Sequence, residues 1–126
     1  MTELPESVRS YFNALNSIDR SAFLSCFSSG AVARDPYGGP MFEGSDGLNN
    51  FFDGMERTWS EFGMEPQAAF AGGNRLAVPW ATSAVTKKGK RAEFSGVNVF
   101  TLDEDGKIIE LDAYWNFKAM LAQIRE

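Results

Sequence analysis

The chain has 126 residues, 44% hydrophobic and 23% charged, and this size and composition predict one globular domain spanning residues 1–126. A net charge of −5 argues against nucleic-acid binding, which requires clustered Lys and Arg side chains. The absence of histidine excludes Ser-His-Asp triads, zinc sites with histidine ligands and haem held by a proximal histidine. Any acid–base chemistry must therefore use carboxylates, tyrosine, lysine or the single Cys26.

The first residues show no basic segment followed by an apolar one, so we predict no secretory signal. No apolar run approaches the roughly 20 residues that cross a membrane as a helix. One cysteine cannot form an intrachain disulfide. Together these features predict a cytoplasmic protein that does not bind membranes.

Three helices are predicted in the N-terminal half. Apolar residues at helical spacing predict the first over residues 8–18. Asp19 is predicted to cap a short second helix, which a brief strand over residues 31–36 follows. Ser45 is predicted to cap a third helix, whose apolar face consists of Leu48, Phe51, Phe52, Met55 and Trp59.

From Met64 onward, apolar residues recur with period two, which predicts consecutive antiparallel strands. Gly-rich and charged segments predict hairpin turns at Gly72–Asn74, Lys87–Lys90 and Asp103–Gly106. A last helix is predicted over residues 117–124. Helices followed by antiparallel strands indicate an α+β fold, in which a bent sheet can enclose a pocket. The predicted strands are 66–71, 76–86, 92–102 and 107–115.

The last hairpin assigns side chains to the two sheet faces. A four-residue turn would pair Leu102 with Lys107 and place Asn98 opposite Leu111. Asn98 would then lie on an apolar face, where an amide without a partner costs roughly 1–3 kcal/mol. It therefore either makes a structural hydrogen bond or donates to a ligand oxygen. The opposite face would contact a second copy of the chain or solvent, and it carries Val97, Val99 and Tyr114.

Several segments resemble the ketosteroid-isomerase-like and SnoaL-like families of the NTF2-like superfamily. Val8–Leu15 is similar to their first helix, and Asp35-Pro36-Tyr37-Gly38 resembles their Asp-Pro-aromatic-Gly motif. Phe42-Glu43-Gly44 resembles their entry into the third helix, and the last hairpin is also similar. The resemblance implies an NTF2-like cone, with three N-terminal helices packed in a strongly curved, mostly antiparallel sheet around an apolar pocket.

The resemblance also implies roles for individual residues. Asp35 takes the position of the aspartate base of ketosteroid isomerases, and Tyr11 and Asn98 take the positions of the two donors to the dienolate oxygen. Asn98 replaces an acidic donor. The tyrosines that support the donor tyrosine in one branch of the family are replaced by Phe27 and Phe52. The expected substrate-binding residues are Trp115, Trp80, Val78, Phe51 and Phe100.

An isomerase that transfers a proton next to a carbonyl, on an apolar steroid- or polyketide-like substrate, is therefore expected. A SnoaL-like cyclase and a non-catalytic ligand-binding or dimerisation module are the alternatives, and the incomplete donor pair favours the module. We expect no cofactor and no metal, since the carboxylates are not clustered. Arg34 adjoins Asp35, and no Asp-Arg-Asp arrangement of the kind found in epoxide hydrolases is expected. The expected partners are a small apolar ligand and a second copy, bound through the outer sheet face as a homodimer.

Overall fold

A computed structural model describes residues 3–125 and shows the expected α+β architecture, with four helices and seven strands in this range. None of the helices in residues 3–125 is long and apolar enough to cross a membrane. The helices are α1 (Glu6–Ser17), α2 (Arg20–Leu24), α3 (Gly44–Thr58) and α4 (Phe117–Ile124). The strands are β1 (Phe27–Arg34), β2 (Met41–Glu43), β3 (Trp59–Pro66), β4 (Phe70–Gly72), β5 (Arg75–Thr86), β6 (Arg91–Leu102) and β7 (Ile108–Trp115).

The seven strands form one curved, unclosed sheet in the order β2-β1-β7-β6-β5-β3, and β4 pairs with part of β5. The hairpins β5–β6 and β6–β7 are antiparallel, as predicted. The sheet is nevertheless not a simple meander, because β1 lies parallel to β7 and β3 pairs with β5. Strands from both halves of the chain therefore wrap around the helices, and α1 packs on β3 while α3 packs on β1 and β2.

The helices begin and end close to the predicted positions. The Asp19 side chain accepts a hydrogen bond from the backbone N–H of Ala22 at 3.1 Å, which confirms it as the cap of α2. The third helix begins one residue before Ser45 and ends at Thr58. Trp59, expected on that helix, instead opens β3 and pairs with Thr86. A single buried ring at the boundary between a helix and a strand fits both the helical period of 3.6 residues and the strand period of two. The apolar pattern therefore could not assign Trp59 to one of them.

The register of the last hairpin differs from the prediction by two residues. Asn98 pairs with Ala113, not with Leu111. The loop has five residues, Asp103–Lys107, instead of the predicted four, which shifts the register by one residue. The ladder is also irregular between Thr101 and Leu102, which shifts the register by one residue more. A shift by an even number leaves every side chain on its predicted face.

Aromatic rings fill the core between α1, α2 and the sheet. The Tyr11 ring lies 5.3 Å from that of Phe12, 6.0 Å from that of Phe23 and 5.2 Å from that of Phe100, measured between centroids. These rings are fully or almost fully buried. The packed end of the cone therefore holds the Tyr11 ring rigidly, while its hydroxyl reaches the open end.

Candidate active site

A cavity of about 480 Å³ lies between α3, α4 and the concave face of the sheet. Its volume falls within the range of small-molecule sites. Most of its wall is apolar, and the charged residues among those that line it are Asp35 and Arg57. The apolar wall includes Leu15, Phe42, Phe51, Met55, Trp59, Phe62, Met64, Trp80, Phe94, Trp115, Phe117, Met120, Leu121 and Ile124.

Asp35 follows directly after β1 and directs its half-buried carboxyl group into this cavity. The indole N–H of Trp115 donates a hydrogen bond to its Oδ1 at 2.7 Å. Burial raises the pKa of Asp35 to about 6, and the Trp115 hydrogen bond opposes this rise. Within residues 3–125 the second oxygen, Oδ2, accepts no hydrogen bond. Asp35 is therefore largely ionised near neutral pH and keeps one oxygen available to a ligand.

Tyr11, Asn98 and Trp80 form a buried hydrogen-bonded chain. The Trp80 indole N–H donates to Asn98 Oδ1 at 2.8 Å, and Asn98 Nδ2 donates to the Tyr11 hydroxyl at 3.3 Å. An indole nitrogen can only donate, which fixes the orientation of the Asn98 amide. The Tyr11 oxygen accepts from the amide, so the phenolic proton is left to donate into the cavity. Asn98 thus makes structural hydrogen bonds, one of the two alternatives that the sequence left open, and it also lines the cavity.

The phenol of Tyr11 stays protonated over the ordinary pH range. Burial raises its pKa well above the usual value, and the negative charge of Asp35 raises it further. The Asn98 hydrogen bond acts in the opposite direction. Both Tyr11 and Asp35 line the same cavity. The ring of Phe27 lies 6.3 Å from that of Tyr11, so a phenylalanine without a hydroxyl group packs there.

Six of the eight sequence-predicted site residues line the cavity, namely Asp35, Tyr11, Asn98, Trp115, Trp80 and Phe51. Val78 and Phe100, expected as substrate-binding residues, do not line it and are completely buried. Val78 pairs with Asn98 in the sheet, and Phe100 lies two residues further along β6. The rings of Tyr11 and Phe12 on α1 pack against Phe100 at 5.2 and 6.1 Å, and both Val78 and Phe100 belong to the buried core.

The contribution of α4 to the cavity was not predicted from the sequence. The helix itself was predicted, but its apolar residues were not assigned to the site. They recur at i, i+3, i+4 and i+7, the spacing of one helix face, and this pattern was available in the sequence. The four residues that line the cavity are Phe117, Met120, Leu121 and Ile124. A polar group from α3 was also missed, and it consists of Asn50, Arg57 and Thr58.

The Arg34 side chain points away from the cavity. It bonds Asp112 at 2.5 Å and Glu110 at 3.2 Å on the outer face of the sheet. Asp35 is therefore the single carboxylate among the cavity-lining residues of the described chain. No Asp-Arg-Asp arrangement is present there, and residues 3–125 contain no cluster of three or more side chains able to hold a metal ion.

Residues 8–111 match the family model of the SnoaL-like domain, so the chain belongs to this family. No curated protein sequence matches this chain. Among solved structures it is similar to the epoxide hydrolase/cyclase-like enzyme SalBIII, involved in pyran ring formation in the polyether salinomycin, with 28% identity, a TM-score of 0.79 and coverage of 90% of this chain and 91% of that one.

Two further structures share the fold. The Mycobacterium tuberculosis protein RV0760c, in complex with estradiol-17beta-hemisuccinate, is 18% identical, with a TM-score of 0.80 and coverage of 90% of this chain and 94% of that one. TerC, co-crystallised with polyporic acid, is 16% identical, with a TM-score of 0.82 and coverage of 96% of this chain and 97% of that one. The NTF2-like cone that the sequence implied is therefore confirmed.

Proposed function

We propose that this protein is an enzyme that transfers a proton next to the carbonyl group of an apolar, multi-ring substrate, as in the isomerisation of a 3-ketosteroid. One observation carries the proposal. An ionised carboxylate with a free oxygen, Asp35, and a phenol with a free proton, Tyr11, face the same apolar cavity. A base and an oxyanion donor with room for a substrate between them are the parts such a reaction needs.

In the proposed reaction, Oδ2 of Asp35 removes a proton from the carbon next to the carbonyl. The electron pair of the broken C–H bond forms a carbon–carbon double bond to the carbonyl carbon. The π pair of the C=O bond moves to the oxygen, which becomes an enolate oxygen hydrogen-bonded by Tyr11. Asp35 then returns the proton to another carbon of the conjugated system, which completes the isomerisation without a cofactor. A base with a pKa of about 6 suits this work, because it is mostly ionised at neutral pH yet readily accepts a proton.

Asn98 acts in this mechanism mainly through Tyr11. Its amide donates to the phenolic oxygen, which favours donation of the phenolic proton to the substrate, and Trp80 fixes the amide from the other side. An amide is a weaker donor than a protonated carboxyl, so we expect a slower enzyme than relatives with an acidic group there. Loss of a whole oxyanion donor typically costs on the order of 10²–10³ in rate, and this substitution should cost less.

Ring closure is the second candidate, favoured by the likeness to the epoxide hydrolase/cyclase-like enzyme SalBIII. The same two residues would serve it. Asp35 would remove the proton from a substrate hydroxyl or carbon nucleophile, and Tyr11 would donate to the oxygen of the carbonyl or epoxide that is attacked. Because the described cavity has no second carboxylate, Tyr11 must supply the acid.

The test is the conversion of a 5-ene-3-ketosteroid to its 4-ene isomer, followed by the ultraviolet absorbance of the conjugated product. We expect turnover by the wild type, near-complete loss in Asp35→Asn, and a loss on the order of 10²–10³ in kcat in Tyr11→Phe. Asp105→Asn, at an exposed turn away from the cavity, makes the same chemical change and should leave the rate unaltered.

The outcomes separate the candidates. No turnover of the ketosteroid by folded wild type would overturn the steroid-isomerase proposal, and a polyether-type epoxy alcohol would then be the substrate to assay. Tight steroid binding without turnover of either substrate would indicate the non-catalytic ligand-binding module.

We also propose that the protein is a homodimer that works in the cytoplasm. The outer face of β6 and β7 carries half-buried Val97 and Val99 next to Tyr114, whose ring stacks on that of Tyr37 at 5.3 Å. Tyr37 and Tyr114 are 53% and 45% exposed, which is unusual for stacked aromatic rings on a sheet face and suits contact with a second copy. The proposed cytoplasmic location rests on the sequence features alone, since a single cysteine such as Cys26 is a free thiol in any compartment unless it pairs with another chain.

A further inference from the structure

Arg57 is the one positively charged residue among those that line the described cavity. It lies in the last turn of α3, and its side chain is exposed at the cavity rim. Thr58, the next residue, and Asn50, two helical turns or about 10 Å away along α3, are the other polar residues of this helix that line the cavity. The rim on the α3 side is therefore polar and positive, in contrast to the apolar wall below it.

The guanidinium of Arg57 has no carboxylate partner within residues 3–125. The two acidic residues of α3 nearest to Arg57 in sequence, Asp53 and Glu56, both bond Arg20, each at 2.7 Å. The Arg57 side chain lies back along α3, and one guanidinium nitrogen is 3.8 Å from the position that a Cβ atom at Gly54 would occupy. The positive charge is thus held at the rim and left without a neutralising partner.

Asp35 and Arg57 mark two separate places in the cavity. The backbone carbonyl of Thr58, next to Arg57, accepts a hydrogen bond from the Lys87 N–H at the β5–β6 turn, just before β6 begins at Arg91. Asp35 is instead bonded by Trp115, which pairs with Gly96 further along β6. The stretch of strand from Arg91 to Gly96 is about 16 Å long. A negatively charged ligand group would be repelled by Asp35 and attracted by Arg57. A ligand with an anion at one end therefore enters the cavity in one orientation.

We propose that Arg57 selects substrates that carry a carboxylate at the end remote from the reacting carbonyl, with the apolar rings between them filling the cavity. The placement of the reacting end rests on the function proposed above, whereas recognition of the carboxylate by Arg57 does not. A planar guanidinium can bind both carboxylate oxygens at once.

The probes for the test are 1-pyrenebutyrate and 1-pyrenebutanol, which share the ring system and chain and differ in the carboxylate. Pyrene quenches indole fluorescence by energy transfer, so Trp59, Trp80 and Trp115 in the cavity wall report binding of either probe. Because exposed ion pairs are weak, we expect the wild type to bind the acid about three- to fivefold more tightly than the alcohol near neutral pH. This preference should shrink as the salt concentration is raised.

Arg57→Gln is expected to lower the affinity for the acid and leave the affinity for the alcohol unchanged, which removes the preference. Arg57→Lys should keep part of the preference for the acid. Arg91→Gln, which removes the same charge at the start of β6 outside the cavity, is the control for net charge. Equal affinity of the wild type for both probes, or an unchanged preference in Arg57→Gln, would overturn the proposal. An equal loss of affinity for both probes in Arg57→Gln would show that Arg57 has a packing role, and this result would also overturn the proposal. Since binding is measured without turnover, an inactive protein that still prefers the acid refutes only the proposed reaction.

Discussion

Asp35 combines two opposing influences on a single carboxyl group. Partial burial disfavours its charge, while the Trp115 indole stabilises the charge through a short hydrogen bond. The result is a base that is ionised at neutral pH but not strongly stabilised in that form. Tyr11 shows the complementary behaviour, because burial and the nearby negative charge keep its proton in place.

The pH dependence of the proposed reaction should report this balance. We expect kcat/KM to rise with an apparent pKa of about 6 as Asp35 ionises, and to stay level in the alkaline range because Tyr11 keeps its proton. Trp115→Phe removes the hydrogen bond that lowers the pKa of Asp35, so its profile should move to higher pH. Trp59→Phe, which changes the cavity wall without touching a hydrogen bond of Asp35, should not move it. An unshifted profile in Trp115→Phe would contradict the role given to this indole.

Asp35→Asn is expected to stabilise the fold at high pH. The carboxyl has a pKa of about 4 in the unfolded chain and about 6 in the folded one. Between these values the folded state binds more protons than the unfolded state, so stability falls as the pH rises through this window. Asn cannot ionise and still accepts from Trp115, so we expect a gain of about 1–2 kcal/mol near pH 8 and little change near pH 4. Urea unfolding at both pH values measures this, and an equal gain at both would show that ionisation is not the cause.

At the scale of elements, the neighbouring strands β5, β6 and β7 build the site by bringing three residues into one row. Gly96 of β6 pairs with Trp80 of β5 on one side and with Trp115 of β7 on the other. These two indoles hold Asn98 and Asp35, respectively. The absence of a side chain at Gly96 gives both indoles the space to reach their partners.

Gly96→Ala is therefore expected to damage both halves of the site. The added Cβ would collide with the backbone oxygen of Tyr114 and lie 2.7 Å from the Trp115 Cβ and 2.8 Å from a Trp80 ring atom. We expect a loss of about 1–3 kcal/mol in stability, a changed near-ultraviolet circular dichroism spectrum and reduced activity. The control is Gly63→Ala in β3, where the nearest atom to an added Cβ is 3.4 Å away. Equal behaviour of the two variants would contradict this account.

At the scale of the whole molecule, the curved sheet gives its two faces different tasks. The concave face encloses the cavity, and the outer face carries the ion pairs of Arg34 with Asp112 and Glu110 beside the stacked Tyr37 and Tyr114. Burial of this outer face against a second copy would stiffen β7, whose last residue holds Asp35. Dimerisation and the geometry of the site would then be linked.

Light scattering after size-exclusion chromatography tests the proposed dimer. The wild type should show about twice the chain mass of 13.9 kDa. Val97→Arg places a charge at the centre of the outer face, opposite Tyr114, and should shift the protein to the single-chain mass. Ala71→Arg adds the same charge on the short edge strand β4 and should remain dimeric. A wild type of single-chain mass would overturn the proposed homodimer.

The sequence by itself determined the four helices, the hairpins β5–β6 and β6–β7, the faces of β6 and β7, and six cavity residues, because these follow from local periodicity and from motifs shared with a family. It did not determine the other strands: β2 was not predicted, and the predicted strand 66–71 is divided between β3, which ends at Pro66, and β4, which begins at Phe70. The side chains of β6 and β7 lie on their predicted faces despite the two-residue error in register. Successive side chains alternate between the two faces of a sheet, so a shift by an even number of residues does not change the face.

The tertiary structure alone decided how these pieces meet. The parallel pairing of β1 with β7, the packing of the α1 rings on Phe100, and the approach of Arg57 to the cavity rim all join residues far apart in the chain. The hydrogen bonds from Trp80 to Asn98 and from Trp115 to Asp35 have the same character. Such contacts depend on side-chain packing between distant segments, which no pattern within one segment encodes.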